Sequence, residues 1–175
     1  MTLVNDAAPA GQSGSRRTGL APRRLSQARL SQIVATLAAR PGGWAEVVRF
    51  EAARRWFQRL ELADDHEVWL LSWLPGQSTG FHDHGHAAGA FAVAEGQVRE
   101  RTVAVGRGQP VRNLTVARGS VRAFGPHYTH DVVNASAEPA VTVHAYSPPL
   151  TAMRRFELTE SGLVHTSTEL SERDW

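Results

Sequence analysis

From Trp56 onward, short apolar stretches alternate with turn signals every eight to twelve residues. This grammar constrains the fold more than any other feature of the chain, and it suggests an all-β sandwich or barrel. Residues 57–62, 67–74, 90–94, 97–105, 111–116, 120–124, 130–134 and 140–146 read as strands. A further short strand follows Pro75-Gly76, and residues 155–158 and 163–168 close as a hairpin around Ser161-Gly162. Ahead of the strands, Ser26 can cap a helix running to about Arg40, with Leu30, Ile33, Val34 and Leu37 on one stripe. Pro41-Gly42-Gly43 stops it, and a second short helix is predicted from Trp44 to about Arg55. Both read as a cover packed on a sheet. Residues 1–22 are rich in Ala, Gly, Ser, Pro and Arg and lack apolar periodicity, so a disordered basic tail is expected there, followed by one domain over residues 23–175.

With 175 residues, 42% of them apolar, the chain can build one domain with a real core. It contains neither cysteine nor lysine. The first absence removes disulfides, zinc–thiolate sites, iron–sulfur clusters and thiol nucleophiles; the second removes Schiff-base chemistry. No apolar run approaches the roughly 20 residues that span a bilayer, and no secretory signal opens the chain. The formal net charge is +2; four arginines and Asp6 give residues 1–24 a charge of +3, leaving about −1 for the body. No nucleotide-binding fingerprint is present. The expectation is a cytoplasmic monomer that meets neither nucleic acid nor membrane.

His82-Asp83-His84 follows the Pro75-Gly76 turn. In a strand, residues two apart point to the same face, so His82 and His84 project together and could share a metal ion. Neutral imidazole suits Fe, Zn, Cu and Ni alike. His130 is the candidate for a third ligand. Thr142, His144 and Tyr146 are spaced at i, i+2 and i+4 and fall on one face of one strand. A hydroxyl, an imidazole and a phenol in line form either a hydrogen-bond relay or a satisfied row in the core. Asp83, pointing to the opposite face from its neighbours, suits a structural hydrogen bond. His86 is assigned to the rim or the surface, His127 to a site away from the metal, and His66 and His165 to solvent.

The order of these residues resembles the cupin superfamily. Gly76, His82, His84 and Gly96 fit its first motif, and His130 with Asn134 fits its second; Gly89 stands where most cupins carry a glutamate ligand. The stretch from His130 to Leu150, with Asn-Ala-Ser-Ala-Glu-Pro-Ala and His-Ala-Tyr-Ser-Pro-Pro, resembles more closely the cysteine dioxygenase family of thiol dioxygenases. The likeness covers about residues 56–150. It implies a jelly-roll cupin barrel holding one Fe(II) on His82, His84 and His130, with Thr142, His144 and Tyr146 as the family's relay beside the iron. It also places Arg59 where that family binds the substrate carboxylate, with Arg54, Arg55 and Gln58 as close neighbours. The Cys–Tyr thioether of some members is impossible here. The activity implied is addition of O₂ to the sulfur of a small carboxylate-bearing thiol, first L-cysteine, giving cysteine sulfinate. Other thiols, such as 3-mercaptopropionate or a thiolated histidine derivative, stay open. So do a cupin isomerase or decarboxylase using Mn or Zn, and a metal-binding cupin without catalysis.

Overall fold

A computed structural model describes residues 24–103 and 110–170 of the chain; the tail predicted over residues 1–22 lies outside the described residues. Helix α1 (Gln27–Ala38) and one 3₁₀ turn (Pro41–Gly43) precede the strands. These are β1 (Phe57–Leu62), β2 (Glu67–Trp73), β3 (Phe81–Asp83), β4 (Ala88–Glu95), β5 (Gln97–Val103), β6 (Val111–Ala117), β7 (Val121–Phe124), β8 (Asp131–Val133), β9 (Ala140–Ser147), β10 (Ala152–Thr159) and β11 (Gly162–Leu170). Ser26 caps α1 as expected, its hydroxyl accepting the Arg29 amide at 3.2 Å. The second predicted helix, Trp44 to about Arg55, does not form. Its polar groups have partners elsewhere: the Trp44 indole donates to the Leu37 carbonyl at 3.1 Å, the Arg49 carbonyl accepts the Ser72 hydroxyl, and the Glu51 carbonyl accepts the Gln77 amide at 2.8 Å. Tertiary contacts override local helix propensity in this stretch.

Every strand pairing is antiparallel. The strands form a five-stranded sheet in the order β1-β2-β9-β4-β7 and two three-stranded sheets, β11-β10-β3 and β6-β5-β8. The all-β class holds, but the expected jelly-roll barrel is corrected: none of the three sheets closes on itself. A closed barrel needs continuous ladders around its circumference. Among the described residues no ladder joins β3 to β8; the bridges between them are isolated, Ser78 with Val133 and His82 with His130. Both strands are three residues long, and Gly80 and Gly85, at φ 68° and 56°, turn the chain out of line on either side of β3.

Strands β2 and β9 are buried along their whole length because both faces of the large sheet are covered. Val68 and Leu70 of β2, and Val141, Val143 and Ala145 of β9, pack on the α1 side against Leu30 and Val34. Each fully buried valine or leucine among them contributes about 1.5–3 kcal/mol. The alternate residues, Trp69, Leu71 and Trp73 of β2 and Tyr146 of β9, face the other layer between the sheets. No helix among the described residues is long and apolar enough to cross a membrane.

Candidate metal centre

His82 and His130 face each other across the bridge that joins β3 to β8. The His82 amide donates to the His130 carbonyl at 2.9 Å, and the His130 amide donates back at 3.0 Å. His84 lies just past the end of β3 and completes the cluster. One ligand nitrogen from each of the three lies within 4.8 Å of the others, and all three residues are buried. Their second ring nitrogens settle which tautomer is present. His82 Nδ1 donates to the Gly80 carbonyl at 2.9 Å, which can only accept, so its Nε2 keeps a free lone pair. His130 Nδ1 donates to Glu100 Oε1 at 2.9 Å, leaving Nε2 as the nitrogen that can face a metal. His84 is buried with neither ring nitrogen hydrogen-bonded. Burial holds His82 and His84 well below the ordinary imidazole pKa of 6.5, so both are neutral and able to ligate. Inward lone pairs without protein partners fit a metal of the imidazole-binding class. The three predicted ligands are thus brought together.

The carboxylate absent from the ligand ring appears one layer out. Buried Glu100 on β5 accepts from His130 and, at 2.8 Å, from Arg122 Nε. Burial alone would raise its pKa; the His130 and Arg122 hydrogen bonds outweigh that and hold it below the usual value. The sequence reading missed Glu100, although it alternates inward with Val98 on β5, a carboxylate on an otherwise inward-facing apolar row. Gly89 is explained by its neighbours. A Cβ there would collide with the Phe124 ring and press on Tyr146. Phe124 stacks on His84, with ring centroids 5.3 Å apart at 22°, and so fills the room a larger residue at position 89 would need.

Thr142, His144 and Tyr146 form the connected row expected of them. Trp73 Nε1 donates to Thr142 Oγ1 at 2.8 Å, Thr142 Oγ1 lies 2.8 Å from His144 Nε2, and the Tyr146 hydroxyl lies 3.3 Å from His144 Nδ1. An indole N–H can only donate, so Thr142 accepts from Trp73, and its own hydrogen is available to His144 Nε2. With the Thr142 hydrogen on Nε2, His144 Nδ1 carries the ring proton and donates to Tyr146, which leaves the phenol hydrogen for the cavity. Burial keeps His144 neutral, well below 6.5, and pushes the Tyr146 phenol above its ordinary value of 10.0. The row therefore presents a neutral hydroxyl donor.

Tyr146, His82 and His130 line a cavity walled by Trp69, Leu71 and Met153. Two arginines line it, Arg55 and Arg155. Arg59 does not: its guanidinium lies 5.3 Å from the centre of the Trp69 ring and 3.7 Å from Glu67 Oε2. Asp83 takes the structural role expected, accepting from the Gly85 amide at 3.0 Å and from Arg154. His127 binds Arg154 at 3.0 Å and packs on exposed His86, away from the metal cluster. His165 is exposed, whereas His66 is largely covered and bonded to Asp65 at 2.7 Å.

The family described as "Cysteine dioxygenase type I" matches residues 24–159, more than half of the chain. The "Cysteine dioxygenase type 1" of Danio rerio is 28% identical over 131 residues, which cover 67% of this chain and 63% of that protein. The chain thus spans less than two thirds of that relative's length. Among solved structures, a protein of Thermus thermophilus superposes with a TM-score of 0.52 at 21% identity, covering 60% of this chain and 93% of the other. A cupin superfamily protein of Desulfitobacterium hafniense gives 0.51 at 13% identity, with 62% and 90% covered. At these identities the two structures speak to the fold alone, which is that of the cupin superfamily. With a cupin fold, a buried cluster of three histidines and a family match running from α1 through β10, the chain belongs to the cysteine dioxygenase type I family.

Proposed function

We propose that this protein is an iron-dependent thiol dioxygenase that converts a small carboxylate-bearing thiol, L-cysteine first, to its sulfinate. The observation that carries the reading is a buried cluster of three histidines beside a hydrogen-bonded row that ends at Tyr146, with His82, His130 and Tyr146 on one cavity. Iron held by His82, His84 and His130 would supply Lewis acidity toward the thiol and redox chemistry with O₂. The residues of the chain do the rest. With no carboxylate in the ligand ring, the three imidazoles add no negative charge, which favours an anionic thiolate in the site. Glu100 holds the His130 ring by its Nδ1 proton. Tyr146 offers its hydroxyl hydrogen into the cavity, oriented by His144, Thr142 and Trp73. The apolar walls exclude water from the reacting sulfur. Both oxygen atoms end on sulfur, which supplies all the electrons that O₂ takes up, so no further reductant is needed.

The test is oxygen uptake by iron-loaded protein with L-cysteine, 3-mercaptopropionate, cysteamine and no thiol, with product mass recorded. The expected result is thiol-dependent uptake and a product heavier by two oxygen atoms. His82→Ala is expected to lose bound iron and turnover together. Turnover surviving in that variant would reject the ligand assignment, and iron binding without uptake for any thiol would favour a cupin that binds rather than oxidises.

A further inference from the structure

The three ligand imidazoles are not held alike. His82 is fixed through Nδ1 by the Gly80 carbonyl and His130 through Nδ1 by Glu100, each at 2.9 Å. His84 is equally buried, yet neither of its ring nitrogens has a hydrogen-bond partner among the described residues. A metal can satisfy only one of them. Metal-binding histidines as a rule give their other N–H to an acceptor, which fixes the tautomer and the plane of the ring. What His84 has instead is aromatic surface. The Phe124 ring stacks on it, with centroids 5.3 Å apart at 22°, and Tyr146 leans on it at 4.6 Å and 33°. Phe124 is itself buried and is backed by Tyr128, 5.4 Å away at 15°. Its place follows from strand register. Phe124 ends β7 directly opposite Gly89 on β4. Because position 89 carries no side chain, the ring can lie across it, where a Cβ would collide with it. Cross-strand pairing thus delivers a flat face to the ligand that no hydrogen bond orients.

We infer that Phe124 is a positioning residue for the metal: its ring holds the His84 imidazole in the ligating orientation, the task that hydrogen bonds perform for His82 and His130. An imidazole without such a bond can turn about its side-chain torsions, and each alternative rotamer takes a ligand out of the cluster. Stacking of two flat rings restricts that rotation and leaves the edge that carries both nitrogens free of protein partners. The supporting face is apolar, so it sets orientation without drawing on the His84 N–H. The ligands are therefore graded. The Glu100 carboxylate raises the basicity of His130, the Gly80 carbonyl does so less for His82, and His84 receives no such push. Phe124 in this role depends on the metal-binding part of the proposed function, and on neither the thiol nor the reaction.

The test reads metal binding, not turnover. Full-length protein freed of metal would be titrated with zinc(II) and with cobalt(II) against a competing chelator, as wild type, Phe124→Leu and Phe91→Leu. Phe91 is the control. It is equally buried, but its ring stacks on His144, at 5.2 Å and 18°, and the ligand it approaches, His130 at 6.4 Å, is fixed by Glu100. Both variants should lose thermal stability through the cavity they leave. Only Phe124→Leu is expected to lose metal affinity, by roughly 10- to 100-fold, the scale on which an orienting partner of a ligand acts. The visible bands of its cobalt(II) form should also move, while those of Phe91→Leu stay at their wild-type positions. Wild-type affinity in Phe124→Leu, or an equal loss in Phe91→Leu, would overturn the role. If Phe124→Leu does not fold, the wild type answers alone. Relaxation of the His84 ring signals in metal-free protein should report one ordered conformation, and a ring that samples several rotamers would overturn the inference. A wild type that takes up neither ion would remove the metal site and this role with it. Normal metal binding without thiol oxidation would remove the dioxygenase reading and leave the role of Phe124 standing.

Discussion

Thr142 has a single hydroxyl hydrogen, and its two neighbours decide where it goes. Trp73 can only donate, so an indole outside the row takes one lone pair of Thr142 and leaves its hydrogen available for His144. Thr142→Val removes the hydroxyl at almost constant volume and leaves the Trp73 Nε1 and a His144 nitrogen buried without partners. It should cost about 1–3 kcal/mol of stability by urea unfolding. Thiol turnover should fall by about 100-fold, the scale of a lost proton-positioning group, while Thr142→Ser keeps both properties. A valine variant with wild-type turnover would remove the row from the reaction. At this scale the sequence is most informative where strand periodicity applies. His82 and His84, and then Thr142, His144 and Tyr146, could be placed on common faces from spacing alone. Arg55 could not, because it lies in a loop with no period and meets Trp73, eighteen positions along the chain. Glu100 was legible only as an inward position on β5; its partners His130 and Arg122 lie 30 and 22 positions away and left no local trace.

Among the elements, β9 was readable almost to its ends, since alternating burial on a sheet covered on both faces leaves a plain trace in the residues. The segment from Trp44 to Arg55 was not, because its local preference for helix is overruled by hydrogen bonds to α1, β2 and the turn after it. The junction of β3 with β8 was invisible for a further reason: a bridge of two residues leaves no periodic signal. At that junction the backbone bonds between His82 and His130 hold two ligands and two sheets at once. Metal binding should therefore tighten the junction. The amides of His82 and His130 are expected to exchange with deuterium more slowly in iron- or zinc-loaded protein than in metal-free protein. The thermal midpoint should rise as well, with a gain of about 2.7 kcal/mol at a free metal concentration about a hundred times Kd. Exchange at these two amides that ignores the metal would place the ion elsewhere.

For the whole molecule, a buried neutral imidazole makes folding sensitive to acid. His144 has its pKa depressed by burial, so between 6.5 and its folded value the unfolded chain binds a proton that the native protein refuses. The penalty is absent above pH 6.5 and grows as pH falls below it, by up to about 1.4 kcal/mol per pH unit for this one group. The thermal midpoint of metal-free protein should drop between about pH 7.5 and 5.5, a window that brackets the unfolded imidazole pKa, and the drop should be shallower in His144→Gln. Parallel curves for the two proteins would mean that His144 does not titrate on unfolding. The class of the fold followed from the strand grammar, whereas the openness of the sheets did not, because closure depends on how short strands meet and not on how each is patterned. The seating of Phe124 against Gly89 also bears on how such a site can change over time. Bringing a glutamate to position 89 would first drive its side chain into the Phe124 ring, and removing that ring first would strip His84 of its stacking partner. Either change alone therefore disturbs the packing that surrounds His84 and Tyr146.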